Sequence, residues 1–274
     1  MIEIIERAEV ERILLDPASR VPPAPVAAGT AASPLSYFRA GVSRFVNGAE
    51  HTARRADLEA LLDGLDRAAL AAAAAARTRA GTRIRDIPVA VLADALGFAG
   101  PDALPPLVEV VAAAYPTGET PDRDESDAAV TALLEASGAP DADERVLRVQ
   151  LLVQAHLATA TLVERAVALA RSQGGVLSTR ALLESVLRDD SPVPLTRRLV
   201  PARTGGGETL VALHLDGPDH EATAERPARI LAFGAGARAC PAPHHALAIA
   251  AAIVETTRGD AHRDEETPHD ADPR

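Results

Sequence analysis

From about Asp143 to Arg171 the chain leaves almost no room for a solvated face: Val146, Leu147, Val149, Leu151, Leu152, Val153, Leu157, Leu162 and Val163 crowd one helical stretch. A helix that is apolar nearly all round must be covered by protein on every side, so this segment is expected to cross the interior with the other elements built around it. Asp141, with Glu144 three residues on, has the spacing of a capping box, and Gly174-Gly175 is the expected stop. On pattern alone Leu157 reads as core. At 274 residues the chain can bury such a core as one large domain or two small ones without disulfide staples.

The flanking sequence is helical in texture. Leu58, Leu61, Leu62, Leu65 and Ala69 recur at helical spacing between His51 and Ala76, one or two helices in which the alanine run from Ala68 is filler. A helix opens after Asp86, with Pro88 in its first turn and Gly97 just past its end. Shorter helices are expected around Leu107 to Ala114, Ser126 to Ala136 and Thr179 to Arg188, and a last one from Ala246 to Thr257. Alternation at Leu195, Arg197 and Leu199, and again at Leu210, Ala212 and Leu213, reads as two strands around a turn at Gly205-Gly206-Gly207. Residues 1–46, with their Pro- and Ala-rich stretch from Pro17 to Pro34, read as an irregular lead-in arm, 47–257 as a single domain, and 258–274 as a disordered charged tail.

Composition removes several function classes. A net charge of -11 with no basic tract argues against nucleic acid or an anionic membrane as partner. Lysine is absent, and the arginine and alanine usage reads as a compositional bias of the source genome. Aromatic residues make up 2% of the chain, too few for stacking platforms, so the core must be Leu, Val and Ala. The single cysteine excludes a disulfide framework. With no charged-then-apolar leader after Met1 and no run read as membrane-spanning, a soluble cytoplasmic protein is expected.

That one cysteine ends Phe233-Gly234-Ala235-Gly236-Ala237-Arg238-Ala239-Cys240. A thiolate facing a large flat cofactor needs backbone amides aimed at its sulfur, glycines let the main chain approach closely, and a nearby arginine can pair with a cofactor carboxylate. An isolated cysteine is more commonly a buried inert thiol, and its context decides between the two. The pattern Phe-Gly-x-Gly-x-Arg-x-Cys resembles the haem-ligand loop of the cytochrome P-450 superfamily. Other blocks are similar to the same family. Asn47-Gly48-Ala49-Glu50-His51-Thr52-Ala53-Arg54-Arg55 resembles its Glu-His-Thr-Arg-x-Arg element, Ile87 to Gly97 one of its helices, and Ser191-Pro192-Val193-Pro194-Leu195-Thr196-Arg197-Arg198 the strand from which an arginine reaches a haem propionate, with Arg197 the better match.

The resemblance implies a mainly α fold with a small β component, a shortened cytochrome P-450-like fold holding haem b. It implies Cys240 as the axial iron ligand, Phe233, Gly234 and Gly236 as its loop, and Arg238, His51, Arg55 and Arg197 as donors to the propionates. It also implies a small-molecule substrate and a redox partner or partner enzyme. Departures carry chemical weight. Where the family has Ala-Gly-x-Asp/Glu-Thr in its long helix, this chain has Gln154-Ala155-His156-Leu157-Ala158-Thr159, with Leu157 and Ala158 in the acid and alcohol positions. Only His156 and Thr159 stand nearby as distal substitutes. The family's Glu-x-x-Arg becomes Glu184-Ser185-Val186-Leu187-Arg188, four apart, which still allows a pair along the helix.

Two functions of different class follow from the resemblance. One is a haem-thiolate oxidoreductase of the monooxygenase family, atypical or peroxide-driven, working in secondary metabolism. The other is a catalytically inactive auxiliary that binds and stabilises a partner such as a glycosyltransferase.

Overall fold

The structure, a computed structural model, describes residues 1–24, 33–173, 176–202 and 206–266, with side chains through residue 259. Gly174-Gly175, Gly205 and residues 267–274 lie outside the described residues, as do the expectations placed on them.

The apolar segment forms α8, Ala142–Ser172. Its first turn is capped by Asp141, whose carboxylate accepts from the Glu144 amide at 2.9 Å. Glu144 does not complete a reciprocal box; its side chain bridges forward to Arg148 at 2.6 Å. Helices α3 (Gly48–Asp63), α5 (Ile87–Ala95), α6 (Pro105–Ala114), α9 (Thr179–Asp189) and α10 (Pro243–Glu266) pack against α8, while α4 (Arg67–Arg79) lies along α10 and α7 (Arg123–Ala136) against α6. By length and mean hydropathy α8 would suffice to cross a membrane, contrary to the expectation of no such run. Two thirds of that window is buried, as befits the core helix of this bundle.

Leu157 departs from the pattern-based expectation: it is 48% exposed at the middle of the most buried helix. On the face formed by Gln154, Leu157, Ala158 and Thr161, spaced i, i+3, i+4 and i+7, Leu157 is exposed and the other three are half-buried, whereas His156, Thr159, Ala160 and Val163 lie in the core.

A three-stranded sheet sits at one end. Strand β3 (Glu208–His214) lies between β1 (Ile2–Ile4), parallel to it, and β2 (Leu195–Pro201), antiparallel with Arg198 opposite Val211. The first 46 residues are therefore not an irregular arm throughout. Besides β1 they contain α1 (Arg7–Leu15), whose Val10, Ile13 and Leu14 form a second small core with Val211, Leu213, Leu215 and Leu231, and α2 (Pro34–Gly41), which packs on α7. Likewise, α10 continues past Thr257 to Glu266, so residues 258–266 of the expected tail are helical.

The Glu184–Arg188 pair does not form. Glu184 turns back to Arg180 at 2.7 Å, and Arg188 pairs with the adjacent Asp189 at 2.6 Å. The connection from β3 to the cysteine loop is tied down otherwise. Arg7, buried on α1, donates to the carbonyls of Leu215, Gly217 and Arg188. Arg229 gathers Asp219, Glu221 and Glu11 at 2.7 to 2.9 Å.

Candidate functional site

The segment 233–240 folds as a tight loop leading into α10. Gly234 and Gly236 adopt left-handed conformations, with φ of 69° and 67°. At Gly236 glycine is required twice over, since a Cβ would stand 2.8 Å from the Leu14 carbonyl at the end of α1. The Cys240 amide donates to the Phe233 carbonyl at 2.7 Å, closing the loop. The Cys240 sulfur in turn accepts from the Ala242 amide at 3.4 Å. Burial pushes the thiol's pKa up, against the opposing influence of that amide and of Arg55. The sulfur is thus sheltered, with a donor already aimed at it and the first turn of α10 beside it, the setting in which metal coordination holds a thiolate.

Cationic groups converge next to the loop. Arg55, on α3, donates to the Ala239 carbonyl and to Glu59. Arg238 donates to the Val46 carbonyl and to Asn47 Oδ1, the latter at 2.9 Å. His51, one turn before Arg55, is buried, and its pKa is pushed down to about 4 by burial, then by Arg238, Arg55 and Arg198. Strand alternation puts Arg197 on the exposed face of β2 and Arg198 inside, 6% exposed. Of the two, Arg198 and not the expected Arg197 is therefore the buried one. Arg198 donates only to Thr196 Oγ1 and its neighbour's carbonyl, at 3.0 and 2.9 Å, and its pKa is lowered to about 10 by burial, then by Arg238 and Arg44.

Neither Arg198 nor Arg238 has a carboxylate partner among the described residues. Arg198 is buried and Arg238 half-buried, and a buried cation without an anion costs several kcal/mol. The cluster therefore suits a ligand carrying more than one carboxylate, and a flat cofactor with two propionates beside a sheltered thiol fits both halves of the site.

His156 and Thr159 are both buried in the core, and neither ring nitrogen of His156 has a partner among the described residues. On the open face the sequence reading missed Gln154, which donates to the Tyr115 hydroxyl at 2.9 Å and accepts from Gln150. Gln150 exchanges hydrogen bonds with Ser43 at 2.8 Å in both directions, tying the 3-10 turn Ser43–Phe45 to the central helix. Burial raises the Tyr115 pKa to about 12. The one signal available in the sequence was the i, i+4 spacing of Gln150 and Gln154 inside an apolar run.

No family model and no curated protein matches the chain. Solved structures do. It superposes on P450BioI in complex with an acyl carrier protein ligated with hexadec-9Z-enoic acid, with a TM-score of 0.69 and 16% identity, covering 93% of this chain and 83% of that one. It superposes on a cytochrome P450 from the archaeon Picrophilus torridus with a TM-score of 0.67 and 16% identity, over 94% and 88% of the two chains. For P450 RauA, complexed with a biosynthetic intermediate of aurachin RE, the TM-score is 0.66 at 14% identity, over 93% and 82%.

Proposed function

The chain has the cytochrome P450 fold, and from that scaffold we propose that it is a haem-thiolate protein acting on a small organic molecule in secondary metabolism, with the redox step driven by peroxide or an atypical donor. The observation that carries this reading is the acid-free cluster of Arg198, Arg238 and His51 beside the sheltered Cys240 sulfur. Cys240 would ligate the iron, and the Ala242 amide would hold the sulfur's negative charge. Arg198 and Arg238 would bind the two carboxylates, while His51 stays neutral at physiological pH and serves as a hydrogen-bond donor. Phe233, Gly234 and Gly236 would let the loop approach the group closely, and Arg55 fixes the loop through Ala239. Bound haem supplies an oxidising iron centre whose reactivity the thiolate tunes.

On the substrate side the open face of α8 supplies Leu157 and Ala158, which exclude water and move no proton. His156 and Thr159, turned into the core, supply none either. Proton delivery for scission of dioxygen is therefore missing from this helix, which favours an oxidant that already carries its protons. A cytoplasmic setting suits a lone reduced cysteine, and an external redox protein or carrier-bound substrate suits the fold.

Purified protein supplemented with haem and reduced under carbon monoxide should show the red-shifted Soret band of thiolate ligation. Cys240→Ala should abolish it. Colourless wild-type protein, or an unchanged band in the variant, would defeat the reading. The absence of a buried Glu184–Arg188 pair and the Leu157 substitution favour a second reading, a haem-free auxiliary that stabilises a partner enzyme such as a glycosyltransferase. Wild-type protein that stays colourless yet raises a partner's thermal midpoint would establish it.

A further inference from the structure

Asn47 is the N-cap of α3, yet its side chain makes no capping bond. An asparagine in that position ordinarily turns back onto the first amides of its helix. Here the planar amide is used elsewhere. Its Oδ1 accepts from the Val21 amide and from Arg238 Nη2, both at 2.9 Å, and its Nδ2 donates to the Val21 carbonyl at 3.0 Å. A neutral carboxamide carries an acceptor and a donor on one plane, so it can pair with Val21 as a strand would and still take the guanidinium. The residue before Val21 is bound to the strand of the other cation. Arg20 exchanges backbone hydrogen bonds with Leu199 at 2.9 and 2.7 Å, next to Arg198 on β2. Residues 20–21 thus form a strap between the strand of Arg198 and the residue that holds Arg238.

The clamp leaves one edge of Arg238 free. That guanidinium is bonded through Nη2 alone, to the Val46 carbonyl and to Asn47, and its Nε and Nη1 meet no acceptor among the described residues. Arg198 is held in the same manner, through Nη1 alone and by neutral acceptors. Two other arginines differ. Arg7 has all three nitrogens on backbone carbonyls, and Arg229 is wrapped by Asp219, Glu221 and Glu11. We propose that Asn47 is a positioning residue of the cation cluster: it aims Arg238 through a neutral acceptor, leaving the charge and one edge of the guanidinium for a ligand carboxylate. Through the strap at residues 20–21 it also fixes Arg238 relative to Arg198. A carboxylate in place of Asn47 would satisfy Arg238 within the protein and compete with the ligand. Which ligand the cluster serves rests on the haem reading above; the clamp itself does not.

The test adds iron-free protoporphyrin IX or its dimethyl ester to the full chain and follows binding by fluorescence, so that carboxylate recognition is read apart from iron ligation. Wild type should bind the free acid about tenfold more tightly than the ester, as expected for one charge-assisted hydrogen bond. Asn47→Asp should reduce that preference to about twofold, whereas Asn47→Ala, which loses the aim but adds no charge, should keep about fourfold. Aspartate is the closer isostere and retains the acceptor toward Val21, so a merely structural anchor would suffer more from alanine. A preference that survives in Asn47→Asp, one that falls further in Asn47→Ala, or equal affinities for acid and ester in wild type would overturn the proposal. Wild-type protein that binds neither porphyrin would defeat the haem reading instead, and urea unfolding of the unliganded chain then decides the clamp. Asn47→Asp should lower the midpoint further in an Arg238→Gln background than in wild type, because only wild type has the cation to pair with the new carboxylate. The same loss in both backgrounds would show that Asn47 does not hold Arg238.

Discussion

At the scale of single residues, two neighbours on one strand separate the family pattern from this chain's geometry. Arg197 and Arg198 are equivalent by composition, but period-two alternation turns only one of them inward, and the buried one meets Arg238 and His51. Arg198→Ala is expected to weaken haem binding about tenfold in a Soret titration, and Arg197→Ala by no more than about twofold. His156 makes a different prediction. Its buried ring has no partner among the described residues and its pKa is lowered below 6.5, chiefly by burial, so the unfolded chain takes up that proton more readily than the folded one. The stability held by the neutral ring is complete above pH 6.5 and declines as pH falls below that value toward the depressed pKa. Chemical denaturation between pH 7 and pH 5 should therefore be less pH-dependent in His156→Leu than in wild type; an identical pH slope would show that the ring does not titrate with unfolding.

At the scale of elements, α8 was readable as a buried helix because nine large apolar side chains leave no polar stripe. What could not be read was its one open strip, because Leu157 looks the same whether it faces protein or a ligand space. On the proposed haem reading, Leu157 and Ala158 offer this strip no group that moves a proton. Leu157→Glu combined with Ala158→Thr should restore an acid and an alcohol there, raising turnover with a ferredoxin-type donor by about a hundredfold over the parent, the lower end of what general acid catalysis contributes. Leu157 is exposed, so the stability cost should stay near 0.5 kcal/mol. Unchanged donor-driven turnover in a folded, haem-loaded variant would show that proton delivery is not what the helix lacks.

At the scale of the molecule, the bundle and the sheet are joined through the N-terminal region that composition marked as irregular. Arg7 is buried and satisfied only by backbone carbonyls from α9 and the segment after β3, and Leu14 presses its carbonyl against Gly236. Arg7→Met should leave those carbonyls unpaired and cost about 2–4 kcal/mol in denaturant unfolding, loosening the cysteine loop with it. Glu184→Ala, which breaks only an exposed pair on α9, should cost under about 0.5 kcal/mol. Equal losses would mean that the Glu184 helix, not α1, holds the connection.

The sequence by itself determined the central helix, the helical surroundings, the two strands of the hairpin and the cysteine loop, because each rests on a local rule: apolar periodicity, capping, alternation, and glycine where φ is positive. Tertiary structure alone decided that Arg198 is buried and Arg197 exposed, that His156 and Thr159 lie in the core, that α1 packs against the loop at Gly236, and that Arg44 stands above Phe45 and Tyr115. Those outcomes depend on which face of an element meets which neighbour far along the chain, as with Arg238 and Val46, 192 residues apart, and local spacing carries no information about that.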